Sequence, residues 1–218
     1  MNSLSFAEIF RRVEKSVRDS RIPSVSEIAG IDQNPYQILI STVLSLRTKD
    51  NVTAAAARRL FDHAATPREM LRLSEEQIQE LIYPTGFYRV KAQNIRAISR
   101  ILLETYDGEV PRSQKALMEL PGVGLKTANL TLSLGFQLPY ICVDTHVHRI
   151  SNRLGWVETK TPIETEGALQ TVLPKKHWIE INELFVRFGQ SVCTPQSPRC
   201  SKCPLLPGCP RAGVQRSR

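Results

Sequence analysis

Four cysteines near the end of the chain have the spacing of a metal-binding segment. Cys193, Cys200, Cys203 and Cys209 are separated by six, two and five residues, and only one other cysteine occurs in the sequence. Thiolates that converge in so short a segment are typical of zinc sites and iron–sulfur clusters, and one continuous run of unequal gaps favours iron–sulfur. Structural thiols or two disulfides are the alternative, but no secretion signal is evident, and a reducing compartment disfavours disulfides.

A glycine-rich turn followed by a lysine forms a second candidate site. Residues 120–124 (LPGVG) separate two apolar helical segments, and Lys126 follows in the first turn of the second. Backbone amides at a helix start lack partners and glycines leave them uncovered, so Gly122, Val123 and Gly124 predict a phosphate-binding turn. Because the helix dipole disfavours a cation there, the amine of Lys126 can lose its proton and form a Schiff base. The alternative is a plain helix corner with a surface lysine.

An aspartate and two histidines follow shortly after this lysine. Asp144 precedes the helical pattern that begins at Val147, which makes it a candidate N-cap. A carboxylate held by backbone amides can also stabilise a cation or assist proton transfer, so capping and catalysis are compatible. His146 and His148 lie on the same predicted helix. One of them can face a phosphate, and a packed or solvated histidine is an equal alternative.

Helical spacing dominates the elements that must position these residues. Residues 6–17 repeat apolar side chains at helical intervals, and helix starts are predicted at 34–35, 66–67 and Ser113. Residues 74–77 and 161–164 match capping boxes. No convincing alternating strand is present. We predict an all-α protein with about ten helices.

Length and charge narrow the class of protein. The 218 residues allow one large domain or two small ones, with a core that needs no disulfide or metal to fold. The net charge of +8 favours polyanionic partners such as nucleic acids. No apolar run reaches the roughly 18 residues of a membrane span. Residues 1–20 lack the apolar segment of a signal peptide.

Together, these motifs resemble those of the endonuclease III family of the helix–hairpin–helix DNA glycosylase superfamily. The resemblance is carried by residues 120–130 (LPGVGLKTANL), 143–149 (VDTHVHR) and 85–95 (TGFYRVKAQNI), and by the cysteine spacing. It extends over most of the chain, from about residue 35 to residue 209. The coincidence of all four motifs is highly specific.

The resemblance implies an all-α fold of two helical domains, with the active site in a cleft between them. Residues 23–137 are expected to form a six-helix barrel that contains the hairpin at about 113–135. Residues 1–22 and 138–218 would form the second domain, in which the cysteine loop 193–209 binds a [4Fe-4S] cluster rather than zinc. The DNA-facing loop would be residues 194–199. Because Arg199 is its only basic residue, we expect a weaker phosphate contact than is usual in the family.

The resemblance also implies an activity, the excision of oxidised pyrimidines from duplex DNA after the damaged nucleotide is flipped out. The residue matching Lys126 attacks the sugar and nicks abasic sites by β-elimination, and the residue matching Asp144 supports the developing charge. The expected partner is double-stranded DNA containing damaged pyrimidines or abasic sites. We expect a monomer without membrane association, in the bacterial or archaeal cytoplasm near the nucleoid.

Two other classes of function are alternatives to this activity. A monofunctional mismatch glycosylase for adenine or thymine is disfavoured because such enzymes usually lack a lysine at the position of Lys126. A DNA-binding or redox-sensing iron–sulfur protein without catalytic activity would not need both Lys126 and Asp144.

Two residues depart from the family pattern. Arg47, within 44–50 (LSLRTKD), stands where many relatives have glutamine, and Phe87 stands where leucine is common. In the family, the side chain at the position of Arg47 fills the gap left by the flipped nucleotide and meets the orphaned base. An arginine there predicts an altered preference for the opposite base, sharpened toward guanine. Phe87 is expected to stack on a base. Together with the glycine turn, His146 and Arg199, these residues form the predicted DNA contacts. The alternatives are a surface cation for Arg47 and a core position for Phe87.

Overall fold

The structure, a computed structural model, describes residues 4–218 apart from the side chain of Asp32. Those residues form twelve α-helices and three short 3-10 helices, and no strand occurs among them. The all-α prediction is therefore confirmed. The number of α-helices slightly exceeds the predicted number of about ten, and the starts predicted at 66–67 and Ser113 belong to the two shortest of them.

The helices are, in chain order, α1 (Phe6–Val17), α2 (Ser24–Asp32), α3 (Pro35–Ser45), α4 (Asp50–Phe61), α5 (Pro67–Met70), α6 (Glu75–Ile82), α7 (Tyr88–Thr105), α8 (Gln114–Met118), α9 (Leu125–Phe136), α10 (Thr145–Arg153), α11 (Pro162–Val172) and α12 (Glu180–Ser191). The 3-10 helices are Lys175–His177, Cys200–Lys202 and Leu206–Gly208.

Most of the predicted helix starts have the expected side-chain caps. Asn34 accepts hydrogen bonds from two amides of α3, and Ser74 forms a complete capping box with Gln77. Thr161 caps α11 as predicted, but the carboxylate of Glu164 accepts from the amide of Lys160 at 3.0 Å. That bond satisfies an amide one residue before the cap. The capping motifs could be found from sequence because every partner lies within four residues.

One compact unit comprises residues 1–23 and 141–218, of which residues 1–3 lie outside the described part. It contains α1, α10, α11, α12 and the three 3-10 helices. The face of α1 that is buried in its core consists of Ile9, Phe10, Val13 and Val17. Arg187 on α12 is 9% exposed and donates to the Val17 carbonyl at 2.6 Å and to the Ser20 hydroxyl at 3.1 Å. The guanidinium thus satisfies the end of α1 and holds it against α12.

The second compact unit comprises residues 24–140 and contains α2 to α9. α3 and α9 are buried on almost every side, which is consistent with their weakly amphipathic sequences. They approach closely because Gly135 has no side chain, and a Cβ there would lie 3.1 Å from the Cα of Pro35. The predicted assignment of a barrel domain and a cluster domain, with boundaries at 22 and 137, remains a prediction.

None of the described helices combines the length and the apolar character that crossing a bilayer requires.

Candidate functional site

The glycine turn joins α8 to α9 and depends on a backbone shape that suits glycine. Gly122 has a φ of 75°, in the left-handed region, and a Cβ there would collide with the side-chain amide of Asn94. Gly124 is the N-cap of α9 and has an extended backbone, and it supplies no side-chain cap. Its exposed position leaves open space where a side chain would stand. The start of α9 therefore has the uncovered character expected of an anion site.

Val123 is the buried residue of this turn. Its side chain is 6% exposed and packs in the core of residues 24–140, and its amide donates to the Leu120 carbonyl at 3.1 Å. The two glycines on either side of it are exposed. A phosphate contact of Val123 remains a prediction.

Lys126 is the second residue of α9 and is half-buried. It therefore lies in the first turn of the helix, as its sequence position predicted. No acidic side chain occupies that turn, so the positive end of the helix dipole is not offset by a carboxylate from the helix itself. Its role as a nucleophile remains a prediction.

Asp144 caps α10, as predicted. Its Oδ1 accepts hydrogen bonds from the amides of His146 at 2.8 Å and Val147 at 2.9 Å, and the residue is half-buried. Because both bonds end on the same oxygen, the cap fixes the orientation of the carboxylate and leaves Oδ2 outside it. A carboxylate with a fixed direction is suited to electrostatic stabilisation of a nearby cation.

The two histidines on α10 have different surroundings. His146 packs against Gly189, where any side chain would collide with its ring, and its Nδ1 lies 3.1 Å from a guanidinium nitrogen of Arg149. His148 pairs through Nδ1 with the hydroxyl of Thr165 at 2.6 Å. His148 is thus a packed structural residue, whereas a phosphate contact of His146 remains a prediction.

The four cysteines of the predicted metal site line one apolar pocket in the unit that contains α1 and α10. Burial raises the pKa of the Cys203 thiol to about 11 and also raises that of Cys209. The guanidinium of Arg153 donates to Sγ of Cys193 at 3.3 Å. Within residues 4–218, no three His, Cys, Asp or Glu side chains are arranged as metal ligands. The fifth cysteine, Cys142, is 1% exposed, which confirms its prediction as a small buried apolar residue.

The loop 194–199 is held in place by backbone and side-chain bonds. The other guanidinium bonds of Arg153 go to the carbonyls of Thr194 at 2.7 Å and Pro195 at 2.8 Å. The amide of Arg218 donates to the carbonyl of Pro198 at 2.9 Å, so the last described residues run beside the loop. Arg199 is exposed. It therefore lies on the surface of this bonded loop, and its contact with DNA remains a prediction.

Arg47 and Phe87 contact each other, although 39 residues separate them in the sequence. Both are exposed, both have left-handed backbones with φ values of 51° and 58°, and Cζ of Arg47 lies 5.3 Å from the ring centre of Phe87. Phe87 is 62% exposed, so the alternative that places it in the core is wrong. Exposed aromatic residues with strained backbones are found at binding sites more often than elsewhere.

Sequence reasoning missed the residues that support this pair. Lys91 is only 4% exposed, and its amine binds oxygens of residues 44–48. The burial of Lys91 could have been predicted from the sequence. Helical spacing places it on one face of α7 with Ile95, Ile98 and Leu102. A lysine in line with three buried apolar residues predicts a buried amine, but its partners cannot be read from the spacing.

Comparisons with known proteins agree with these features. The HhH-GPD superfamily of base excision DNA repair proteins matches residues 40–175. Endonuclease III of Thermotoga maritima is 51% identical over 178 residues, which cover 82% of this chain and 84% of that protein. The chloroplastic endonuclease III homolog 2 of Arabidopsis thaliana is 47% identical over 186 residues, and the chain spans 48% of its length.

Solved structures lead to the same family. A structure of a trapped endonuclease III–DNA covalent intermediate matches with a TM-score of 0.82 and 36% identity, over 95% of this chain and 97% of that chain. A non-covalent endonuclease III–DNA complex matches equally well, with a TM-score of 0.82. The chain therefore belongs to the endonuclease III family, within the HhH-GPD superfamily of base excision DNA repair proteins.

Proposed function

We propose that this DNA glycosylase and AP lyase removes oxidised pyrimidines from duplex DNA and then nicks the abasic site by β-elimination. The general activity follows from membership of the endonuclease III family. At the level of residues, the proposal is carried by Lys126, an amine in the first turn of a helix that has no side-chain cap. The similarity to a trapped endonuclease III–DNA covalent intermediate supports a covalent step.

In this mechanism, Lys126 is the nucleophile. Its neutral amine attacks C1′ of the extrahelical deoxyribose, and the base leaves with its electron pair and takes up a proton. Opening of the sugar ring gives a Schiff base between Nζ and C1′. A proton then leaves C2′ and the C3′–O bond breaks, so the 3′ phosphate departs and the strand is nicked. Water hydrolyses the Schiff base and returns the amine.

Asp144 stabilises the positive charge that develops on the sugar. The two amides that bind its Oδ1, at 2.8 and 2.9 Å, fix the carboxylate before the substrate arrives. Because the group does not have to reorient during the reaction, its charge contributes fully to stabilising the transition state. The cap thereby contributes to function as well as to folding.

The four cysteines are proposed to hold a [4Fe-4S] cluster. Four thiolates are the donor set that such clusters use, and all four line the same apolar pocket. The hydrogen bond from Arg153 to Sγ of Cys193 suits a sulfur that carries negative charge. When bound, the cluster supplies a structural link that keeps the loop 194–199 folded, and it takes no part in bond breakage.

DNA is bound through separate groups in this proposal. Gly122 and Gly124 expose the start of α9 to a backbone phosphate. Arg47 and Phe87 enter the duplex where the damaged nucleotide leaves it, and the guanidinium contacts the orphaned base. Arg199 contacts a flanking phosphate. His146 is assigned the same role on the strength of its position two residues after Asp144.

Borohydride trapping on duplexes containing thymine glycol or an abasic site tests the proposed function. The parent protein should form a covalent adduct and nick both duplexes. Lys126→Gln should form none, whereas Lys115→Gln on the exposed side of α8 should behave as the parent. An adduct that persists in Lys126→Gln would overturn the assignment of the nucleophile. Base release without any adduct in the parent would instead indicate a monofunctional glycosylase.

A further inference from the structure

Lys91 is a buried amine whose hydrogen-bonding capacity is fully used. Nζ donates to the carbonyls of Leu44 and Leu46, both at 2.7 Å, and to the hydroxyl of Thr48 at 2.8 Å. An ammonium has three N–H donors, so each has one acceptor. All three acceptors are uncharged, and burial lowers the pKa of Lys91 to about 8. A lysine is rarely buried without an acidic partner, so the burial of this amine against neutral oxygens is unusual.

The hydroxyl of Thr48 is equally saturated. It accepts from Lys91 and from the amide of Gly86 at 3.1 Å, and it donates to the carbonyl of Leu46 at 3.2 Å. A hydroxyl has one donor and two acceptor sites, and all are used. Gly86 also lies so close that a Cβ would stand 2.5 Å from the carbonyl oxygen of Arg47. We call these contacts between residues 44–48 and 86–91 the Lys91 network.

Residues of the Lys91 network flank the exposed pair Arg47 and Phe87 in the sequence. Arg47 lies between Leu46 and Thr48, and Phe87 directly follows Gly86. Left-handed backbone is unfavourable for an arginine and for a bulky phenylalanine. An exposed cation–π contact is too weak to hold both residues in that conformation. The buried bonds on either side supply the constraint that the surface pair lacks.

We propose that Lys91 is a positioning residue that, through Thr48 and Gly86, holds Arg47 and Phe87 ready to fill the gap left by the extrahelical nucleotide. The inference rests on the proposed function and adds a residue to it. Because the pair is ordered before DNA binds, binding does not have to order it.

The matched substitutions Thr48→Val and Thr48→Ser test this role. Valine has the shape of threonine but removes the hydroxyl, whereas serine retains the hydroxyl. Single-turnover excision from a thymine glycol duplex should fall about tenfold in Thr48→Val, which corresponds to ~1.4 kcal/mol. The ratio of rates opposite guanine and adenine should move toward one. Thr48→Ser should stay within about twofold of the parent in both measurements.

Single-stranded DNA separates positioning from general damage to the protein. A single strand has no gap to fill, so borohydride trapping on a single-stranded abasic oligonucleotide should change less than about twofold in Thr48→Val. Equal losses on duplex and single strand would overturn the inference, because they indicate a damaged protein. An unchanged duplex rate, or a failure of Thr48→Ser to restore it, would overturn it as well.

A spectroscopic readout makes the test independent of activity. In the free parent protein, the ring of Phe87 should shift the Nε–H resonance of Arg47, assigned with Arg47→Lys. That shift should disappear in Thr48→Val and Lys91→Met and persist in Thr48→Ser. A shift that persists in Thr48→Val would overturn the inference, whether or not Lys91→Met folds.

Failure of the proposed function can be distinguished from failure of this inference. If the parent forms no adduct with Lys126, the proposed function fails, and the resonance still decides whether the Lys91 network holds the pair.

Discussion

The two glycines of the α8–α9 turn should respond to alanine in different ways. At Gly122, alanine must adopt a φ of 75° and displace the side-chain amide of Asn94. The left-handed backbone costs ~1–2 kcal/mol, and displacing a packed side chain adds about 1 kcal/mol. We therefore expect Gly122→Ala to lower the free energy of unfolding by ~2–3 kcal/mol. For a chain of this size, the melting temperature should fall by about 5–10 °C.

At Gly124, alanine meets no atom within 4 Å and keeps an extended backbone with φ of −101°. Alanine caps a helix less well than glycine, which lowers the free energy of unfolding, but it also reduces the entropy of the unfolded chain, which raises that free energy. Each effect is below ~1 kcal/mol, so stability should hardly change. The new methyl group nevertheless stands at the N-terminus of α9, beside the amides of its first turn. If a phosphate binds there, the dissociation constant for duplex DNA should rise about fivefold, or ~1 kcal/mol.

Thermal unfolding by circular dichroism and DNA binding by fluorescence anisotropy, at one salt concentration, measure the two effects. The double variant Asn94→Ala/Gly122→Ala separates the contact from the backbone cost, and it should recover about 1 kcal/mol. Equal melting temperatures for Gly122→Ala and Gly124→Ala would refute the argument from backbone geometry. Unchanged DNA affinity in Gly124→Ala would refute the assignment of a phosphate to this turn.

Three further predictions concern the other proposed groups. Cys203→Ala should lose bound iron and visible absorbance whereas Cys142→Ala keeps both, and iron analysis that finds no difference would contradict the assignment of ligands. Arg47→Gln should change the ratio of excision opposite guanine and adenine by about fivefold or more, because a bidentate contact to guanine is worth ~1–3 kcal/mol. Equal ratios in the parent and the variant would remove that role. Asp144→Asn should reduce base release by at least about 100-fold with little change in melting temperature, and full activity in the variant would exclude catalysis by the carboxylate.

The sequence was most informative where the determinants are local. The caps at Asn34, Ser74 and Asp144 could be predicted because donor and acceptor lie within three residues of each other. The buried face of α1 followed from its helical spacing. The positions of the glycine turn and Lys126 could be predicted because both lie within seven consecutive residues, 120–126.

The sequence was least informative where distant segments meet. The contact between Arg47 and Phe87 joins residues from two loops, and the bonds of Lys91 span more than 40 residues. Neither can be read from the spacing, because each depends on how α3 packs against α7. The bond from the amide of Val123 to the carbonyl of Leu120 could not be predicted either, because it forms within an irregular turn.

The free energies of the backbone and of the cation–π contact explain why the Arg47–Phe87 pair needs a buried support. Two left-handed residues cost ~1–2 kcal/mol each, and an exposed cation–π contact returns about 0.5–1 kcal/mol. The surface pair is therefore unstable by itself. Hydrogen bonds contribute about 1 kcal/mol each, and four of them join the two segments of the Lys91 network. Their combined contribution is of the same order as the cost of the two left-handed backbones.

Asp144 differs in charge from the other residues that cap helices in this protein. Among the described α-helices whose N-cap side chain accepts a hydrogen bond, the other caps are uncharged: Ser5, Asn34, Thr66, Ser74, Ser113 and Thr161. Asparagine, serine and aspartate cap helices about equally well, so capping α10 does not require a negative charge. Capping alone therefore does not account for the charge of Asp144. A carboxylate with a fixed direction suits the proposed stabilisation of a cationic sugar. Because Asp144→Asn keeps the cap and removes the charge, it separates the two roles.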